Sequence, residues 1–342
     1  MTRMRMNQAI VAAIADEMRT DPTVVMFGED VAAAGGPFKT SVGLLEEFGP
    51  MRVRDTPISE MAFTGAGVGS AAMGLRPIVE IMFMEFLGVA LDQLVTQAAK
   101  LHYLSRGALS VPLTVRASVG PGTGFACQHS QTLENWVTST PGLVVVSPSG
   151  PQTAYGLLRS AIQHQDPVIV LEPRAYYGVR GEVHTGPDAM IPLGRAQIAR
   201  PGTAATVVCL GRTTAVALQA ADRLAEIGYD IEIIDLLTLV PWDVAAVAQS
   251  VRRTGRLVVV EDAPLTGGWG GDIVSRIVTE EFGALVAAPF RICTPDVPVP
   301  YGKDLEKRFA PQPDEVGRQI RSYLETGEVP AHWWTREGGM TA

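Results

Sequence analysis

Short apolar, β-branched runs recur along the chain at 23–27, 78–83, 111–117, 143–147, 168–172, 205–210, 231–236, 257–261 and 290–293, and segments of helical spacing lie between them. A short run that is apolar throughout, without in-and-out alternation, suits a strand covered on both faces. Strands of that kind alternating with helices imply βαβ units and a mainly parallel sheet between helix layers. The expected class is therefore α/β, with mainly parallel sheets in three layers.

The helical segments can be placed from their periodicity and their end signals. Residues 6–19 set Ala9, Ile10, Ala13, Ile14 and Met18 on one face. Ser59 precedes a helix reaching about Gly74, whose Gly65, Gly67, Gly69 and Ala71 would admit a close neighbour. A long helix is expected over 87–104, a short one around Glu134, and another opened by Ser149 and Pro151. Later helices are expected up to Ile227, over 244–252 and over 273–282. Residues 173–200 are rich in Gly, Pro and charge and show no clear period. With 342 residues, the chain exceeds one domain of ~100–200 residues. The expected division is a first domain over 1–190, a second over 200–325, and a tail over 326–342 that could form a peripheral arm.

Composition narrows the function classes. A net charge of -8 with no basic run argues against a nucleic-acid surface, which needs clustered Lys and Arg. Cys127, Cys209 and Cys293 are too scattered for a disulfide framework or a Cys-rich zinc site, so a reducing compartment, the cytosol, is expected. The apolar stretch over 77–91 is interrupted by Glu80 and Glu85 and falls short of the ~20 residues a bilayer requires, so no membrane segment is expected. The first helix meets Asp16 and Glu17, unlike a signal peptide. Gly65, Gly67 and Gly69 miss the dinucleotide fingerprint, and no phosphate-binding G-x-x-x-x-G-K-[ST] or G-x-S-x-G elbow is present. The five histidines show no metal-ligand spacing, so no metal site is expected in this chain.

Two segments carry candidate chemistry. In Asp55-Thr56-Pro57-Ile58-Ser59-Glu60, a carboxylate sits at the start of a helix among apolar neighbours. That is either a catalytic acid or simply a charge that a helix N-terminus accommodates. In the loop from Gly120 through Gly124 to Gln131, His129 stands among polar residues, as a reactive histidine or as a surface one.

The strings FGEDVA, RVRDTPISEMAFTGAGVGSAAMGLRPIVEIMF, LDQLVTQAAKLHYLS, CQHSQTLENWVTSTPGLVVVSPS, DPVIVLE and DVPVPYGKDLE occur in this order from near Met6 to near Leu324. Together they resemble the beta subunit of the decarboxylating component of pyruvate, branched-chain and acetoin dehydrogenases. The resemblance implies a thiamin-diphosphate-binding, pyrimidine-type domain followed by a transketolase C-terminal-like domain. It also implies an α2β2 heterotetramer with an alpha subunit, a lipoyl acyltransferase component as acceptor, and a 2-oxo acid or acetoin as substrate. The cofactor acts only after its own aminopyrimidine removes a proton, which demands an imino tautomer. Glu60 matches the carboxyl that bonds the ring nitrogen to favour it, in an apolar site that strengthens the bond. Phe86 matches an aromatic wall near the pyrimidine, with an ordinary core aromatic as the alternative. Glu29 matches an acid lining a water-filled passage between active sites, against a solvated turn glutamate. His129 matches a loop histidine that assists either proton handling on the substrate-derived group or transfer to the lipoyl group.

The chain has no Gly-Asp-Gly, and its asparagines, Asn7 and Asn135, are not placed to complete such a motif. The resemblance therefore implies that the alpha subunit holds Mg²⁺ and the diphosphate. His164 stands where relatives carry an acid of a potassium-type loop, so no structural cation is expected, and the loop SVGPGTGFAC departs from common versions. A split transketolase-like transferase subunit and a non-catalytic assembly subunit are the competing readings.

Overall fold

The computed structural model describes residues 1–335, apart from the side chain of Lys303, and divides into two compact units. The first gathers Met1–Val119, Trp136–Leu193 and Leu239–Pro241; the second gathers Gly120–Asn135, Gly194–Thr238 and the chain from Trp242.

The first unit is built on a seven-stranded sheet in the order Thr238–Val240, Val144–Val146, Val168–Pro173, Thr114–Val119, Arg76–Phe83, Val24–Gly28, Val53–Asp55. From Val144–Val146 to Val53–Asp55 every pairing is parallel. Central strands Thr114–Val119 and Val168–Pro173 are buried at every position, which is why their sequences lack alternation. Helices Met6–Thr20 and Pro151–Gln163 pack on one another. The first buries the stripe Met6, Ile10, Ile14 and Met18. The second starts at Pro151, with Thr153 Oγ1 accepting the Gly150 N–H at 3.0 Å.

Several local features differ from expectation, among them strands Val53–Asp55 and Thr238–Val240 at the two sheet edges, each only three residues long. Thr2–Arg5 pairs antiparallel with Arg180–Val183 as a separate ribbon. Its strands are short and mostly exposed, so they carry no apolar pattern to read. The expected helix over 87–104 is interrupted: α-helix Leu87–Leu91, a π-helical stretch Asp92–Ala98, then α-helix Ala99–Leu104. A widened turn keeps helical periodicity, so sequence pattern does not reveal it.

The second unit holds a five-stranded sheet in the order Phe290–Thr294, Leu257–Pro264, Thr206–Cys209, Glu232–Asp235, Gln197–Arg200, parallel except for the last pair. Its core includes Val207, Ala217, Leu224, Ile233, Val258 and Ile320. Helices Lys303–Phe309 and Pro313–Thr326 were not anticipated. The latter has Pro313, Asp314 and Glu315 in its first turn and stops at Gly327 in a left-handed conformation. Beyond it Trp333 packs against the core and Trp334 is buried, so this part of the expected arm lies on the unit. Residues 336–342 of that tail lie outside the described residues. No described helix is long and apolar enough to cross a membrane.

Candidate active site

Strands Val53–Asp55, Val24–Gly28 and Arg76–Phe83 are neighbours running in the same direction, so their carboxyl ends share one edge of the sheet. In open α/β sheets that edge is where ligand clefts form. Glu29 directly follows Gly28, Glu60 opens helix Glu60–Ala72 a short loop after Asp55, and Phe86 closes the single turn Met84–Phe86 after Phe83. Three residues singled out in sequence thus stand at the ends of three adjacent strands.

Local bonds tie the Glu29 and Glu60 segments together. Asp55 accepts the Ala32 N–H at 2.7 Å and the Ala33 N–H at 3.2 Å. Thr56 N–H donates to the Gly28 carbonyl at 2.9 Å. Gly28 cannot be larger, since a Cβ there would lie 2.6 Å from the Glu80 carbonyl oxygen. Glu60 is buried, and Glu29 is half-buried with Oε1 enclosed and, among the described residues, without a hydrogen-bond partner. Burial, reinforced by the facing Glu60 and by Asp30, raises the Glu29 pKa above the ordinary carboxyl range. Two carboxyls therefore converge on one site, and Glu29 holds its proton the more readily for it.

The small residues of helix Glu60–Ala72 play different parts. A Cβ on Gly65 would meet Gln93 Oε1 at 2.9 Å, and one on Gly67 would meet Val79 Cγ2 at 2.8 Å, whereas Gly69 faces open space. The close neighbours at the first two positions are side chains of the same unit. Phe86 is half-buried and meets Phe83 edge-on at 5.8 Å; Phe83 meets Phe38 edge-on at 5.7 Å, and Phe38 stacks on Tyr177 at 5.4 Å.

Sequence reading missed the charged network behind these rings. Arg116 donates to both oxygens of Glu172 at 2.8 Å and to Glu80 at 2.6 Å. Tyr177 Oη donates to Glu172 at 2.7 Å, and Thr40 Oγ1 to Glu80 at 3.2 Å. Burial raises the Glu80 pKa against the pull of Arg116, and burial with the Glu172 charge pushes the Tyr177 phenol well up. The available signal was a lone charge inside each of three apolar strands, at Glu80, Arg116 and Glu172.

His129 belongs to the second unit, half-buried on the loop 120–135. Gly120 N–H closes the loop on the Gln131 carbonyl at 3.1 Å, and Thr132 Oγ1 donates to the Asp262 carbonyl at 2.8 Å. Nearby in sequence, Glu134 is buried and its pKa is pushed up to about 8, by burial first and then by the charges of Glu261 and Asp262. Among the described residues no group of three or more His, Cys, Asp or Glu is arranged to hold a metal ion. His164 Nδ1 accepts the Asp166 N–H at 3.1 Å, closing a turn.

Residues 2–179 match the transketolase pyrimidine-binding domain, and residues 194–316 match the transketolase C-terminal domain. The chain is 41% identical over 336 residues to the beta subunit of the acetoin:2,6-dichlorophenolindophenol oxidoreductase of Cupriavidus necator, covering 95% of this chain and 99% of that one. It is 43% identical over 322 residues to the beta subunit of the pyruvate dehydrogenase E1 component of Rhizobium meliloti, covering 94% and 70% respectively. A solved split-gene transketolase, an inactive beta4 tetramer, superposes with a TM-score of 0.77 at 22% identity, over 94% of this chain and 99% of the other, a likeness of fold. The chain belongs to the transketolase-like family that contains the beta subunits of pyruvate and acetoin dehydrogenases.

Proposed function

We propose that this chain is the beta subunit of a thiamin-diphosphate-dependent 2-oxo acid dehydrogenase, acting with an alpha-type chain to decarboxylate a 2-oxo acid and pass the acyl group to a lipoyl carrier. The observation that carries this reading is the buried Glu60 at the start of its helix, faced by Glu29. A pair of carboxyls of that kind, on the carboxyl edge of a pyrimidine-type sheet, fits an aminopyrimidine, which offers ring nitrogens and an amino group to carboxyls. The residues that would hold it are Glu60 on the ring nitrogen and Phe86 as an apolar wall. When bound, thiamin diphosphate supplies the carbon nucleophile and electron sink that decarboxylation requires.

This chain's own part is positioning and proton handling. Glu60 orients the ring and shares a proton with it, while burial keeps water from competing for the carboxyl. Glu29, whose pKa is raised by burial and by the facing Glu60, holds a proton more readily than an ordinary carboxyl. His129 gives or takes a proton at the substrate-derived oxygen. The alpha-type chain supplies the diphosphate and Mg²⁺ contacts, since this sequence carries no Gly-Asp-Gly. The assembly is an α2β2 heterotetramer that delivers acyl groups to a lipoyl acyltransferase, and its free cysteines suit the cytosol. Acetoin cleavage is the second reading, favoured by the near full-length relationship to the Cupriavidus necator acetoin oxidoreductase subunit.

The test is co-purification with the alpha-type chain, then pyruvate, branched 2-oxo acids and acetoin offered with a free lipoyl domain. Acylated lipoyl domain is the expected product. In the same pair Glu60→Gln is expected to lower turnover by about 10²–10⁴-fold, the usual worth of a positioned acid. Wild-type turnover in that variant would sink the assignment.

A further inference from the structure

Three glycines give the loop that carries His129 wide backbone freedom. Gly120, Gly122 and Gly124 have φ of 89°, 108° and 81°, in the left-handed region where glycine is favoured, and they bring no side chains to pack. Phe125, Cys127 and Gln128 are exposed. The base of the loop is anchored by the Gly120–Gln131 backbone bond, by Thr132 on the Asp262 carbonyl and by Asn135 on the Gly267 carbonyl. Ordering the span between these anchors costs backbone entropy that contacts elsewhere must offset.

One buried carboxylate contributes two such contacts. Glu306, on helix Lys303–Phe309, is 2% exposed. Its Oε1 accepts the Gly122 N–H at 2.9 Å and its Oε2 accepts the Gly124 N–H at 2.6 Å. Alternate N–H groups converging on one point make a small anion-binding concavity, and a fixed carboxylate fills it with charge-assisted bonds. Those bonds can form only because the two glycines adopt conformations that turn both N–H groups the same way.

We infer that Glu306 is a positioning residue: it clamps the glycine-rich loop and so holds His129 in its working place. The link to turnover rests on the proton-handling role proposed for His129, whereas the clamp itself does not. Glutamine in place of Glu306 would leave one acceptor oxygen and turn an amide N–H₂ toward the second glycine N–H. Aspartate would keep the charge but fall one methylene short.

The loop carries its own reporter. Cys127 is exposed, whereas Cys209 and Cys293 are buried, so a thiol-specific nitroxide on the full-length chain reads this loop. In Glu306→Gln the spin-label spectrum is expected to gain a mobile component absent from the wild type. In the alpha-paired enzyme, kcat for lipoyl acylation is expected to fall by roughly 10- to 100-fold with KM for the 2-oxo acid little changed, the scale set by a group displaced by about 1 Å. Glu306→Asp should recover part of both effects, and if Glu306→Gln does not fold, the aspartate variant decides on the same readouts. A label spectrum identical to the wild type overturns the clamp. A mobile label with undiminished acylation overturns the positioning role. A wild-type pair inactive on every substrate would instead remove the proposed function, leaving the substrate-free label experiment to judge the clamp.

Discussion

Glu134 shows how far burial alone can move a group that the sequence presents as an ordinary helix-start glutamate. It sits in the second unit with Glu261 and Asp262 close enough to add to the cost of its charge, and its pKa is pushed up to about 8. A carboxyl whose folded pKa is raised binds more protons folded than unfolded. Its contribution to stability is thus fully present below the ordinary carboxyl value of ~4.3 and is lost as pH climbs toward that of the folded state. Glu134→Gln removes this loss, so it should match the wild type near about pH 4 and unfold at higher temperature near about pH 9. Parallel melting-temperature profiles for the two proteins across that range would count against the assignment. Glu29 carries the same sign more weakly, being half-exposed. Of these residues, Glu60 and Glu29 were legible as candidates, because a family motif names their positions. That they face one another was not, since Glu29 and Glu60 are far apart in the chain and meet only through strand neighbourhood.

At the level of elements, strands 76–83, 114–119 and 168–173 are neighbours joined by more than their backbone ladder. Arg116 binds Glu172 with a two-pronged contact and Glu80 with a third bond, all buried. Removing the cation leaves two carboxylates without their partner in a low-dielectric site, where breaking a buried pair costs about 3–5 kcal/mol. Arg116→Met is expected to lose that much in urea unfolding, and a shift of only a few tenths would show that the network contributes little. Replacing Arg116, Glu80 and Glu172 together by apolar residues of similar volume should restore most of it. Most strands and the longer helices were readable from apolar runs and end signals. The ribbon of Thr2–Arg5 with Arg180–Val183 and the π-helical stretch Asp92–Ala98 were not. The first lacks a buried face, and the second differs from an α-helix in hydrogen-bond register, which leaves residue pattern unchanged.

For the whole molecule, the decisive expectation is dependence on a partner. The isolated chain should fail to saturate with thiamin diphosphate and Mg²⁺ in calorimetric titration, and addition of the alpha-type chain should restore binding. Saturable binding and turnover by this chain unaided would refute the division of labour. The sequence by itself determined the α/β class, because continuous apolar runs between amphipathic helices have no other economical way to bury both faces of a strand. It also determined family membership and the identity of the candidate carboxylates, because those reside in residue order. Tertiary structure alone decided which side chains became partners: Glu29 with Glu60, Arg116 with two glutamates, Glu306 with the glycine loop. Such pairings depend on strand order and on helices far along the chain. Their energies come from desolvation and hydrogen-bond geometry, which exist only once the chain has closed around them.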